Sequence, residues 1–321
     1  MTTSPVPSVR ARHGSEAERV IDVRELHKAY GQTRAVDGIT FAIDRGEVFG
    51  LLGPNGAGKT TTVEILEGLR SPDAGAATVL GIDVARHPDA LKERIGVSLQ
   101  TAALYPKLTV TEILDLFRSF YRQSRPTAEL VELLDLGEKR STRTQELSGG
   151  QRQRLAVALS LVNDPELVFL DEPTTGMDPA ARRSLWDIVR GLKGEGRSVL
   201  LTTHYMEEAE VLCDRIAIMD HGRILETGTV DELVSRRFRE RAIQFDIVAG
   251  LDEAQLAAMP GVTSVKAEDH QVLLYTNDVP ATIGALLDAT ESIGAEAENL
   301  AVRRATLEDV FLDLTGRALR D

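Results

Sequence analysis

The sequence holds a single cysteine, Cys213, so no intrachain disulfide can form, and the chain does not read as a secreted, bridge-stapled protein. The cytoplasm is the expected compartment. Long apolar runs are also missing. Nothing approaches the ~18 consecutive apolar residues of a membrane-spanning helix, and the most apolar stretches, 167–170 and 199–201, are strand-length. Positive charge is scarce: 37 Lys and Arg against 50 Asp and Glu give a formal charge of −13. That balance argues against a nucleic-acid binder, which usually carries a basic stripe to displace counterions from phosphates. There is no sustained heptad repeat, internal repeat or low-complexity tract. The first residues, with Pro5, Pro7, Ser8, Arg10, Arg12 and His13, contain no apolar core of a signal peptide, so 1–19 reads as a disordered tail.

What is present fits two domains, since 321 residues is long for one core. Residues 20–23 alternate like a strand and 39–43 form a second. The apolar run 47–52 ends at Gly53 and leads into a helix over 60–69, giving strand, glycine loop and helix. Helical spacing then appears in Val110, Ile113, Leu114, Phe117 and Phe120, and again over 130–134 after Pro126, so a helical insertion is expected over about 101–147. A helix from 151 to 161, a buried strand 167–170, a helix 179–192, a strand 199–202 and a final helix after His204 complete an α/β core with a parallel sheet. The basic cluster Arg236, Arg237, Arg239 and Arg241 marks a linker over 235–242 and ends an expected first domain at 20–234. Beyond it, over 243–317, the order βαββαβ belongs to ferredoxin-like α+β folds. A short helix over 307–314 follows, with Thr306 as cap and Gly316 as stop.

The chemistry begins with Gly53-Pro54-Asn55-Gly56-Ala57-Gly58-Lys59-Thr60-Thr61, a P-loop. Its glycines let backbone N–H groups and the following helix N-terminus wrap an anion. Lys59 is placed for the β and γ phosphates and the Thr60 hydroxyl for Mg²⁺. The strand Val168-Phe169-Leu170 delivers Asp171 and Glu172 at its carboxyl end, where open α/β sheets bind ligands. An isolated Asp-Glu before Pro173 would do no more than cap a turn. Following a P-loop by just over a hundred residues, it reads as a magnesium carboxylate (Asp171) and a general base (Glu172). Leu147-Ser148-Gly149-Gly150-Gln151 makes a second glycine-containing helix start, able to donate N–H groups to a second phosphate face.

With that pentapeptide the chain resembles the ATP-binding subunit of ABC transporters over 20–233, and the resemblance assigns the remaining positions. It implies an ABC-type P-loop cassette with a β-rich N-terminal subdomain. Tyr30 takes the place of the adenine-stacking aromatic, against an alternative of ordinary core packing. Gln100 takes the Q-loop position, touching nucleotide and metal. Ser148, Gly149, Gly150 and Gln151 belong to the signature, Thr175-Gly176-Met177-Asp178 to the D-loop, with Thr175 and Met177 where Ser and Leu are commoner, and His204 is the switch histidine. Lys59, Glu172 and His204 are the expected catalytic set. ATP and Mg²⁺ are the implied ligands. In the family the signature of one subunit closes over the P-loop nucleotide of another, which implies a homodimer or a pairing with a related ATPase, and a separate membrane permease that holds the chain at the cytoplasmic face of the cell membrane. The segments 202–210 and 305–317 resemble ATPases of the anthracycline-resistance type that serve ABC-2 exporters. Drug efflux is the implied function, with a lipid or polysaccharide exporter and an importer as alternatives. Cys213, Trp186 and the other five histidines read as structural.

Overall fold

The computed structural model describes residues 18–98, 104–238, 240–268 and 270–316. Most of the expected tail, together with Gln100, Arg239 and Arg317, lies outside the described residues. The chain opens with β1 (Arg19–Tyr30) and β2 (Thr33–Asp44), an antiparallel pair extended by β4 (Ala74–Val79) and β5 (Ile82–Asp83) into a sheet of order β2-β1-β4-β5. Between β2 and β4 come β3 (Val48–Leu52) and α1 (Lys59–Leu66). The larger sheet is built from β3, β6 (Ile95–Ser98), β7 (Leu167–Asp171), β8 (Ser198–Thr203), β9 (Arg215–Asp220) and β10 (Arg223–Gly228), in the order β10-β9-β3-β8-β7-β6. All its pairings are parallel except β9 with β10.

Strands β3, β7 and β8 are buried at every residue, the expected consequence of a parallel sheet covered on both faces. Phe49, Leu51, Phe169 and Leu200 point toward the antiparallel sheet and α1. The alternate residues Val48, Val168, Leu170, Val199 and Leu201 face a helical layer of α2 (Val110–Arg118), α3 (Thr127–Leu133), α4 (Gly149–Ser160) and α5 (Pro179–Gly194). Helix α2 starts in a reciprocal capping box between Thr109 and Glu112, which satisfies donors at its open end. It stops at Arg118, and Phe120, expected on its apolar face, is 63% exposed beyond it. Among the described residues no helix is long and apolar enough to cross a membrane.

The sequence reading named no element between the helix after His204 and the end of the first domain at 234. The structure adds to that helix, α6 (Met206–Leu212), the two strands β9 and β10 and the helix α7 (Val230–Arg237). Strand β9 pairs with β3, so the P-loop strand is central. The expected linker is also partly helical. Arg236 and Arg237 close the last turn of α7, where cations favour the helix dipole, and Arg237 reaches Glu226 at 2.8 Å and pairs with Asp313.

A four-stranded antiparallel sheet follows, from β11 (Arg241–Asp246), β12 (Val262–Glu268), β13 (Gln271–Thr276) and β14 (Ala301–Arg303), in the order β12-β13-β11-β14. Helices α8 (Glu253–Ala257) and α9 (Val279–Ser292) give the βαββαβ order, and their apolar faces meet Ile243, Phe245 and Leu274 on one side of the sheet. The last helix, α10 (Leu307–Thr315), is capped by Thr306 and ended by Gly316 in the left-handed conformation. It does not join that core. Leu307, Val310 and Phe311 pack with Ala209 of α6, Leu233 of α7, and Leu52, Ile216 and Ile218 of the ATPase sheet.

Phe311 is 1% exposed in this junction. Phe311→Ala is expected to lower the unfolding free energy by about 3–5 kcal/mol, the usual cost of a large aromatic deletion in a core. Urea unfolding followed by circular dichroism measures it, and a loss below about 1 kcal/mol would show that α10 is only loosely attached.

Candidate active site

Parallel register sets the site. Leu52 pairs with Thr203, and Asp171 pairs with Thr202, so Gly53, Glu172 and His204 leave neighbouring strands at the same edge. The P-loop turns there because two of its glycines have no room for a side chain. A Cβ at Gly53 would lie 2.1 Å from the Met219 carbonyl, and at Gly58, with φ +103°, 2.1 Å from the Ala35 carbonyl. Gly58 caps α1, so the first N–H groups of that helix face the loop.

Lys59 is 4% exposed and bends back over its own loop. Its Nζ donates to the Gly53 carbonyl at 2.7 Å and the Pro54 carbonyl at 3.2 Å, and lies 3.4 Å from Glu172 Oε1. Burial lowers its proton affinity, while the Glu172 and Asp171 charges oppose that shift. Thr60 Oγ1 donates to Asp171 Oδ2 at 3.2 Å. Asp171 also accepts from Thr202 Oγ1 at 2.5 Å, and burial holds its carboxyl above the ordinary aspartate value. Thr60 and Asp171 thus present a hydroxyl and a carboxylate to one spot. This suits Mg²⁺, which is usually held by one or two protein oxygens together with phosphate oxygens and water.

Glu172 is in the left-handed region, with φ +47°, a strain on the order of 1 kcal/mol that its surroundings must hold. Its backbone N–H donates to Thr202 Oγ1 at 3.0 Å, and Thr175 donates to its Oε2 at 3.2 Å. His204 Nδ1 stands 3.5 Å from that same Oε2. The carboxylate is therefore aimed by a strained turn, a threonine and a histidine.

A cavity of about 500 Å³ opens over the loop, lined by Tyr30, Asn55, Gly56, Gly58, Lys59, Thr60, Thr61 and Glu172. Tyr30 is 43% exposed, which removes core packing as its role, and Arg70 lies 5.6 Å from its ring centroid. Pro54 and Ala57 complete the loop, with the Ala57 N–H bonded to the Pro54 carbonyl. Arg34 and His221, left out of the expected set, line the same cavity. Their signal was weak, because Arg34 sits near the start of β2 and His221 in the turn between β9 and β10, neither within a recognised motif.

The signature residues are elsewhere. Ser148, Gly149, Gly150 and Gln151 are absent from the cavity lining, and Ser148 and Gly149 are exposed. Ser148 and Gln151 close a capping box, leaving Gly149 and Gly150 at the helix start, whose amides no helix can satisfy internally. A Cβ at Gly150 would be 3.6 Å from Met177 Cε, so signature and D-loop adjoin within one chain. Asp178 caps α5, accepting from Ala180 and Ala181.

Two buried acids escaped the sequence reading. Glu208 is fully buried, accepts from Trp186 Nε1 at 3.2 Å, and is pushed up in pKa by burial. Glu67 closes α1, and neither of its carboxyl oxygens has a hydrogen-bond partner among the described residues. Burial first, then repulsion from Asp171, push its pKa to about 8.

A P-loop, a strand-end Asp-Glu pair and a facing histidine on one parallel sheet define a P-loop nucleoside triphosphatase. A family model described as ABC transporter matches residues 36–175. The chain is 43% identical to a daunorubicin resistance ATP-binding protein of Streptomyces coeruleorubidus, over 94% of this chain and 97% of that one. It is 40% identical to a Nod factor export ATP-binding protein of Ralstonia nicotianae, covering 94% of this chain and 95% of the relative. Among solved structures, an ATP-binding subunit of an ABC transporter superposes with a TM-score of 0.61 at 31% identity, over 68% of this chain and 92% of that one. A dimeric bacterial ABC transporter cassette gives 0.60 at 27%, over 65% and 98%. The chain belongs to the family of ATP-binding subunits of ABC transporters, and its catalytic activity is ATP hydrolysis coupled to transport.

Glu67 supplies a test of the site's electrostatics. A folded pKa of about 8 lies above the ordinary 4.5, so the stabilisation this proton gives is full below about 4.5 and is lost as pH rises to about 8. Stability should fall across that window with a slope of up to ~1.4 kcal/mol per pH unit. Glu67→Gln should remove that part of the slope, and urea unfolding of both proteins at three pH values within the window reads it. Parallel profiles would show that Glu67 is not held neutral.

Proposed function

We propose that this chain is the ATP-hydrolysing subunit of an ABC-2 type exporter, binding Mg-ATP at a head-to-tail dimer interface and driving efflux of a drug or another hydrophobic compound through a separate membrane permease. The observation that carries the reading is the separation within one chain of a complete P-loop site from an exposed signature helix start that has no part in it. Two copies related by a two-fold axis would bring each signature to the other's loop, an isologous arrangement. The dimeric cassette among its structural neighbours supports this.

ATP would supply the phosphoryl group, and Thr60 and Asp171, with Gln100, would hold the Mg²⁺ that offsets its charge. Lys59 exchanges its loop carbonyls and Glu172 for phosphate oxygens. Glu172, released from that pair, takes a proton from the attacking water, and His204 keeps it oriented. Tyr30 stacks on the base, while Ser148, Gly149, Gly150, Gln151 and Asp178 act across the interface. Similarity to daunorubicin and linearmycin resistance proteins supports a drug cargo. Similarity to Nod factor export proteins supports a second cargo reading, a lipid or polysaccharide.

Ser148→Arg should leave ATP binding by the isolated monomer within about twofold yet abolish ATP-dependent dimerisation in size-exclusion chromatography, because its bulk and charge act on the facing subunit. Loss of monomer binding would put the signature in its own subunit's site. Glu172→Gln should lower turnover by about 10²-fold or more, as for loss of a general base, and trap the ATP-bound dimer. In everted membrane vesicles holding the permease, wild-type chain should support ATP-dependent daunorubicin uptake and the variant should not. Undiminished hydrolysis would overturn the role of Glu172, and absent uptake by wild type would overturn the drug cargo.

A further inference from the structure

Helices α8 and α9 cover one face of the four-stranded sheet. On the other face, between the sheet, the last turn of α7 and the segment leading into α10, lies a cavity of about 370 Å³. It has an apolar floor. Ala242 pairs with Tyr275 on one side and Arg303 on the other, so these side chains stand in one row across β13, β11 and β14, with Leu273 beside them. This row points opposite to Ile243, Phe245 and Leu274, which fill the core with α8 and α9.

The walls are basic. Arg236, Arg237, Arg303 and Arg304 line the cavity against Glu240 and Asp309. Arg236 and Arg237 are already engaged, the first by Glu232 at 3.4 Å and the second by Glu226 at 2.8 Å. Asp309 is held in its helix cap, accepting from the Thr306 N–H at 2.7 Å. Neither Arg303 nor Arg304 has a carboxylate within 4.0 Å among the described residues. Two adjacent guanidinium groups without a carboxylate partner among the described residues, beside the ring of Tyr275 and a floor of Ala242 and Leu273, form a locally positive concavity on a chain of formal charge −13.

We propose that this cavity binds a small amphipathic organic anion. Its carboxylate, sulfonate or phosphate is met by the forks of Arg303 and Arg304, which match such oxygens in pairs. Its flat apolar body lies on Ala242 and Leu273 against Tyr275. The volume falls at the lower end of the range that holds small ligands, and the position between two structural units is where such sites concentrate. A bare inorganic anion would leave the apolar floor uncovered, and a neutral aromatic would leave both guanidinium groups without a counterion. The site is separate from the nucleotide cavity, with no lining residue in common.

The test is isothermal titration of the full-length chain with 1-naphthoate, 1-naphthamide and inorganic phosphate, with ATP binding as a control for folding. The expected result is one saturable naphthoate site per chain, with the amide and phosphate each at least 10-fold weaker. Arg303→Ala with Arg304→Ala, and separately Tyr275→Ala, should each weaken naphthoate at least 10-fold while ATP binding stays unchanged. Arg241→Ala, an exposed arginine outside the cavity, should have no effect. Absence of naphthoate binding, equal binding of the amide, phosphate binding as tight as naphthoate, or naphthoate affinity untouched by the double arginine substitution would overturn the proposal. Because ATP binding is read separately, none of these outcomes bears on the nucleotide site.

Discussion

Everything chemical in this chain depends on the parallel register of three neighbouring strands. With Leu52 opposite Thr203 and Thr202 opposite Asp171, the P-loop, the two carboxylates and the histidine emerge at one edge. Shifting one strand by a single residue would turn its side chains to the other face and separate the groups by several ångströms. That register is held from both sides, since β3, β7 and β8 are sealed between the antiparallel sheet and the helical layer. Packing at a distance thus fixes a geometry that the polar groups could not fix for themselves.

Around that edge, acidic groups outnumber the cation. Lys59 faces Glu172 and Asp171, with Glu67 close enough to Asp171 to feel its charge. Burial acts on all three of Lys59, Asp171 and Glu67 in the direction of neutrality, because each charged form loses water. On the proposed function, phosphate oxygens arriving at the loop would draw Lys59 away from Glu172, so nucleotide binding and release of the proposed base would be linked through one ion pair.

The motifs were legible because each is a short contiguous string whose chemistry needs only its own neighbours: the loop from Gly53 to Thr61, Asp171 with Glu172, and the turn at His204. The capped helices were legible for the same reason, and α10 starts and stops where Thr306 and Gly316 place it. What escaped depends on partners distant in sequence. Arg236 and Arg237 read as a solvated linker because Glu226 and Asp313, which order them, lie in other segments. Glu67 and Glu208 drew no reading of their own because nothing local shows that the fold will bury them. Strand β9 was visible in the run from Ile216 to Met219, but the helix after His204 had already been taken as the last element of the core. The stripe Leu307, Val310 and Phe311 announced an apolar face without saying what it would cover.

That stripe gives the accessory unit an unusual attachment. Helix α7 leads out of the ATPase core and α10 leads back into it, and the two stems pack together through Leu233, Val310 and the Arg237–Asp313 pair. The sheet between them is an excursion with its exit and return side by side, while the stems themselves belong to the catalytic body. A unit joined in this way could be exchanged for another whose ends meet the same gap, without reopening the hydrophobic core behind the P-loop strand. The chain's plan is that of a fixed engine with an exchangeable module plugged into a two-pronged socket.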